Sequence, residues 1–218
     1  MAIIFSKTSL FGNRFGVWEI EEDAAFFLEK LKLSDAERSE FARIHGVRGL
    51  EWLAGRLLLH KISDHQSRTE IAKTASGQPF WAEKPGHFFS ISHTDGKLAA
   101  AVVGDRPCGI DVQVFTEKIR RVAHRILNEN ELKNELTDDY LHQTWGAKEA
   151  MFKAWGRGGV DFRHNLTVGA VENGRATGIF RRGDFSMGFD LLFEKIEVGG
   201  LSFMLSLASK HRQACERF

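Results

Sequence analysis

Leu50, Leu53, Ala54, Leu57, Leu58 and Ile62 recur every three or four positions, which predicts a helix from about Val47 to Ile62 with one core-facing stripe. Two shorter helices are predicted before it. Glu21–Leu31 carries acids in its first turn, where the helix dipole favours them. The next is opened by Ser34, with Glu37 at the capping-box spacing. Short apolar runs predict strands at Ile3–Phe5, Gly16–Ile20, around Ile71 and Phe80, and at Phe88–Ile91, Leu98–Val103 and Cys108–Val114. A basic helix Lys118–Ile126, a short helix opened by Asn128 and a longer helix from about Asp138 to Trp155 follow. Gly156-Arg-Gly-Gly159 ends the last of these, as glycine commonly does at a helix C-terminus. From Leu166 to Leu207 the pattern reads as four strands with turns near Asn173-Gly174, Arg182-Gly183-Asp184 and Gly199-Gly200.

The two halves echo each other in element order without evident sequence identity, and no linker rich in Pro, Ser or charge separates them. A mixed α+β fold with two closely joined subdomains is predicted. Hydrophobic residues at 43% and charged residues at 27% argue for a globular chain over a disordered one. A net charge of +1 excludes nucleic-acid binding driven by bulk charge, so any anion site must be a local cluster. Cys108 and Cys215 are too few for a disulfide framework or a Cys-rich zinc site, and the nine histidines show no zinc spacing. The N-terminus does not resemble a secretory signal, and the longest apolar run, Leu98–Val103, is too short to cross a bilayer. A cytoplasmic protein with no membrane partner is expected.

Candidate chemistry concentrates in Trp145-Gly-Ala-Lys148-Glu149-Ala-Met-Phe-Lys153-Ala-Trp155. Glu149 and Lys153 stand four residues apart, so they are expected to meet on one helical face. As an isolated surface pair they would contribute only about 0.3–0.5 kcal/mol. Other segments change that picture. In the strand Gly109-Ile-Asp111-Val-Gln113, Asp111 and Gln113 share one face while Ile110 and Val112 point to the core. A strand carboxylate beside an amide oxygen suits half of a magnesium site. Ser90-Ile-Ser92-His93 enters a turn, where hydroxyls and an imidazole can bind phosphate oxygens. Arg48, Arg56 and Lys73 supply further cations.

The order Arg48…Gly55-Arg56, Gly77-Gln78-Pro79, Ser90-x-Ser92-His93, Gly109-x-Asp111 and Trp145-x-x-Lys148-Glu149-Ala150-x-x-Lys153-Ala resembles the Sfp-type 4′-phosphopantetheinyl transferases over about residues 48–156. The Trp-x-x-Lys-Glu-Ala-x-x-Lys block is its most specific element. The implied fold is a pseudo-dimer of two similar α/β subdomains, each a small, mostly antiparallel sheet packed against helices. These would span 1–107 and 108–218, with the active site in the cleft between them. The implied activity moves the phosphopantetheine arm of coenzyme A onto a serine of an apo-acyl or peptidyl carrier protein, releasing 3′,5′-ADP, and the implied state is a monomer.

By the same resemblance Asp111 and Glu149 would bind Mg2+, with Gln113 contributing through a water or weakly. Glu149 would also take the serine proton, while Lys153 would act on the pyrophosphate. Ser92, His93, Arg48, Arg56, Lys73, Lys148 and Lys153 would bind coenzyme A, though Lys148 could equally tether a neighbouring acid. Arg120, Arg121 and Arg125 on the basic helix would dock the acidic carrier. Two positions depart from the family pattern: Gln113 where many members have an acid, and Gln78 where many have a lysine. Both favour the alternative of a non-catalytic homologue that binds coenzyme A or a carrier protein.

Overall fold

A computed structural model describes residues 3–63, 69–75, 77–83 and 86–211. Cys215 lies outside them. The chain forms β1 (Ile3–Thr8), β2 (Arg14–Glu19), α1 (Ala24–Leu31), α2 (Asp35–Phe41), α3 (Val47–Ile62), β3 (Ile71–Lys73), β4 (Pro79–Trp81), β5 (Phe88–Thr94), β6 (Leu98–Gly104) and β7 (Cys108–Val114). It continues through α4 (Lys118–Ile126), a 3₁₀ turn at Glu131–Lys133, α5 (Asp138–Trp155), α6 (Phe162–Asn165), β8 (Leu166–Val168), β9 (Arg175–Arg182), β10 (Phe185–Val198) and β11 (Leu201–Lys210).

Every strand pairing is antiparallel. One sheet runs β1-β2-β6-β5, a second runs β7-β11-β10-β9-β8, and β3 pairs with β4. This is an α+β fold in which each large sheet carries its own helix. The alternation along β6 shows how the layers are built. Ala99, Ala101 and Val103 pack with α3, whereas Leu98, Ala100 and Val102 pack against Ile110, Val112, Phe203, Leu205 and Leu207 of the other sheet. A run buried on both faces explains why Leu98–Val103 reads as uninterrupted apolar sequence. The far face of the second sheet is covered by Ala147, Ala150, Met151 and Ala154 of α5.

Small residues set how closely α5 approaches that sheet. A Cβ on Gly109 would lie 1.9 Å from the Ala150 carbonyl oxygen, and one on Gly146 would lie 2.4 Å from Ser206 Oγ. Glycine at these positions lets helix and strand backbones come close enough for side chains of α5 to reach β7.

Two helix starts differ from expectation. α1 begins at Ala24, because the Asp23 side chain accepts the Phe26 N–H and caps the helix there, while Glu22 accepts the Trp18 indole N–H. The segment opened by Asn128 forms only the 3₁₀ turn; the Asn128 side-chain oxygen accepts the N–H groups of Asn130 and Glu131. The capping box at Ser34 and Glu37 forms as read. No helix among the described residues is long and apolar enough to cross a membrane.

Candidate active site

The edge strands β5 and β7 meet side by side, and the chemistry gathers at their junction. Strand alternation sends Ser92 toward β7 and His93 toward α3. Ser92 is buried; its hydroxyl donates to Asp111 Oδ1 at 3.0 Å and accepts the Val112 N–H at 3.2 Å. Lys153, from α5, closes the group. Its ammonium donates to Asp111 Oδ1 at 2.8 Å, to Ser92 Oγ at 3.0 Å and to the Ile110 carbonyl at 3.0 Å. The ion pair of Lys153 thus runs to Asp111 across the helix–strand contact, where helical spacing had placed its partner at Glu149.

Glu149 is half-buried one helical turn earlier. Burial pushes its carboxyl above the usual range, the negative charge of Asp111 adds to that, and Lys153 pulls it partly back. Two carboxylates close enough to oppose each other's ionisation suit a hard divalent cation, which takes oxygen ligands and relieves that repulsion. Both hydrogen bonds to Asp111 fall on Oδ1, so Oδ2 is the oxygen better placed to face a cation. Gln113 shares the Asp111 face as read, but its amide nitrogen donates to the His142 carbonyl of α5 at 3.0 Å. Among the described residues no group of three His, Cys, Asp or Glu side chains comes together to hold a metal. Asp111 and Glu149, with the neutral amide of Gln113 on the same strand face, are the residues that could hold magnesium, whose remaining ligands would be water and phosphate oxygens.

His93 stands on the other face of β5. Its Nδ1 lies 2.8 Å from Oε2 of Glu51, a buried carboxylate on α3. Burial lowers the imidazole pKa, Glu51 opposes that, and the charges of Lys153 and the exposed Arg48 lower it further. Arg48 and Lys153 therefore share one electrostatic neighbourhood with the His93 imidazole, two cations beside it on a nearly neutral protein. Beneath Lys153 opens a cleft of 330 Å³ between Gly77–Pro79 and Phe89–Ile91 on one side and Phe152, Lys153 and Gly156–Gly158 on the other. Gln78 lies over the left-handed Gly156 that caps α5, where a Cβ would come within 2.2 Å of its amide.

Three expected coenzyme ligands are placed elsewhere. Lys148 is fully buried; its ammonium donates to the Ile126 carbonyl at 2.7 Å, Glu131 Oε2 at 2.6 Å and the Phe162 carbonyl at 3.0 Å. It is a tether, because its side chain is wholly enclosed, whereas Lys153, which makes as many hydrogen bonds, keeps 27% of its side chain exposed to the cleft. Arg56 is buried, stacked on Trp52 and paired with Glu40 at 3.3 Å. Lys73 donates to the same Glu40. Burial raises the Glu40 carboxyl, but hydrogen bonds from Lys73 and Trp52 and the charge of Arg56 outweigh this and leave it below its ordinary range. On α4, Arg120 is held by Asp138 at 2.6 Å and the Leu136 carbonyl at 2.9 Å, while Arg121 and Arg125 are exposed. Trp145 packs on Phe162. Cys108 is buried with its thiol pushed to about 12 by burial, which removes it from nucleophilic chemistry.

Glu40, Glu51 and Glu131 escaped sequence reasoning. Glu51 left a signal, since it interrupts the apolar stripe of α3 between Leu50 and Leu53. Glu40 is defined only by partners distant in sequence, while Glu131 joins the nearby Asn128 N–H to the distant Lys148.

No curated protein matches the chain. Residues 107–189, the stretch that carries Asp111, Glu149 and Lys153, match the family model of the 4′-phosphopantetheinyl transferase superfamily.

Proposed function

We propose that the protein transfers the 4′-phosphopantetheine arm of coenzyme A to a serine of an acyl or peptidyl carrier protein, with magnesium, and releases 3′,5′-ADP. One observation carries this reading: Lys153 bridges Asp111 and Ser92 where the two sheets meet, with the half-buried Glu149 one turn away. The superfamily match supports phosphopantetheine transfer in general terms. The carrier, the metal and the leaving group are inferred from the site's chemistry and the motif resemblance.

Asp111 and Glu149 would hold magnesium, which when bound neutralises charge on the pyrophosphate. Glu149 would also take the proton of the serine hydroxyl. The serine oxygen then bonds to the phosphorus carrying the pantetheine arm. The bond from that phosphorus to the bridging oxygen breaks, and 3′,5′-ADP leaves with the electron pair. Lys153 donates a charge-assisted hydrogen bond to the departing phosphate. Arg48 and His93 hold other phosphate oxygens, and the cleft beneath Lys153 receives the rest of the coenzyme. Subdomains 1–107 and 108–218 would each supply one wall, so a single chain suffices as a functional monomer.

Gln113 favours a second reading, a non-catalytic homologue that binds coenzyme A or a carrier, because its amide is engaged by α5 and, among the described residues, no third carboxylate joins the pair. Chromatography of a mixture of protein, coenzyme A, magnesium and apo-carrier separates the two. Transfer releases 3′,5′-ADP in step with protein turnover. Coenzyme binding without any release of 3′,5′-ADP establishes the binder.

A further inference from the structure

We propose that Glu51 is the positioning residue of the site: it holds His93 through Nδ1, so that Nε2 is turned to a phosphate oxygen of a bound adenosine nucleotide and donates to it once the ring is protonated. The inference rests on the reading of this cleft as a coenzyme site.

Both oxygens of Glu51 are committed. Oε1 accepts the Gly96 N–H at 2.8 Å, and Oε2 lies 2.8 Å from His93 Nδ1. The carboxylate is 4% exposed, and a buried charge is costly unless it is paired and hydrogen-bonded. Holding the turn after β5 would account for one oxygen. That turn already packs tightly, since a Cβ on Gly96 would meet Val47 at 2.6 Å. The second oxygen goes to a ring whose side chain is 43% exposed and which feels the charges of Arg48 and Lys153.

An imidazole that gives its Nδ1 proton to a carboxylate has its plane and tautomer fixed, and Nε2 is the nitrogen left for a ligand. In the neutral ring that nitrogen is an acceptor; it becomes a donor to phosphate when the ring is protonated. The charged groups facing His93 are Glu51 and Arg48 from α3 and Lys153 from α5. Burial and the two cations oppose protonation, and Glu51 is the one group among these that favours it. A phosphate entering among Arg48, His93 and Lys153 adds negative charge, which favours the protonated ring.

The test is calorimetric binding of 3′,5′-ADP to the full chain and to Glu51→Gln, His93→Ala and the double variant. Glu51→Gln is expected to weaken binding about tenfold, the scale of a charged hydrogen bond. His93→Ala should weaken it comparably, and the double variant no further than His93→Ala alone. A parallel 15N spectrum of the histidines should show the His93 proton on Nδ1 in the wild type and on Nε2 in Glu51→Gln. If Glu51→Gln does not fold, the wild-type spectrum decides: a proton on Nε2 and not Nδ1 in the free protein overturns the proposal. Additive losses in the double variant, or wild-type affinity in Glu51→Gln, also overturn it while leaving the functional reading intact. A wild type that binds neither 3′,5′-ADP nor coenzyme A overturns both.

Discussion

Glu149 is held in a state that costs the fold something. Burial and the neighbouring Asp111 raise its carboxyl pKa above the unfolded value. Between the ordinary and the raised value, the folded protein keeps a proton that the unfolded chain has lost. Stability therefore falls as pH rises through that window. Glu149→Gln removes the effect, so without metal or coenzyme the variant should melt above the wild type at about pH 8, with the gap closing toward about pH 4. Equal melting temperatures across that range, by scanning calorimetry, would show that the site stores no such strain. The two lysines flanking Glu149 illustrate how different neighbours in one motif can be. Lys153 faces the junction, whereas Lys148 neutralises Glu131 in the interior. Burial pushes the Lys148 pKa down, and Glu131 restrains that shift. Lys148→Met strands the Glu131 carboxylate, and chemical denaturation should register a loss of about 3–5 kcal/mol.

At the level of elements, the contact of α5 with β7 brings acid, base and lysine together. Gly109→Ala would push a methyl group into the Ala150 carbonyl, which should cost about 1–3 kcal/mol. It should also lower turnover in the protein that remains folded, because it displaces Glu149 and Lys153 from Asp111. Normal turnover per folded molecule would mean that the close approach serves packing alone. The elements themselves were legible, since helical and strand periodicities outlined α3, α5, the sheet strands and the C-terminal turns. Side-chain partners were legible only where they follow a period. Asp111 and Gln113 share a face because strands alternate, and the same alternation separates Ser92 from His93. The tether at Lys148 depends on carbonyls of Ile126 and Phe162, the Glu40 pairings join α2 to α3 and β3, and those of Glu51 join α3 to β5 and the turn after it. No local pattern encodes these contacts, because chain folding alone brings the partners together.

Over the whole molecule, two helix-covered sheets pack face to face, and the cleft opens between the start of β4, β5 and the C-terminal end of α5. The basic face of α4 lies on the second half, with Ile119, Ala123 and Ile126 turned inward and Arg121 and Arg125 outward. Those two arginines are the candidates for docking an acidic carrier, since Arg120 is already held by Asp138. Reversing both to glutamate should raise KM for the carrier by about tenfold with coenzyme affinity unchanged, and the wild-type value should rise with salt. An unchanged KM would move docking off α4. The central claim is that Glu149, Asp111 and Lys153 form a transfer site and not merely a binding site. It is tested most directly by the intact mass of an apo-carrier after incubation with coenzyme A, magnesium and either wild type or Glu149→Gln. One added phosphopantetheine is expected with the wild type and none with the variant, which still binds the coenzyme. Equal modification by both proteins, or none by a wild type that binds coenzyme A, would contradict the claim.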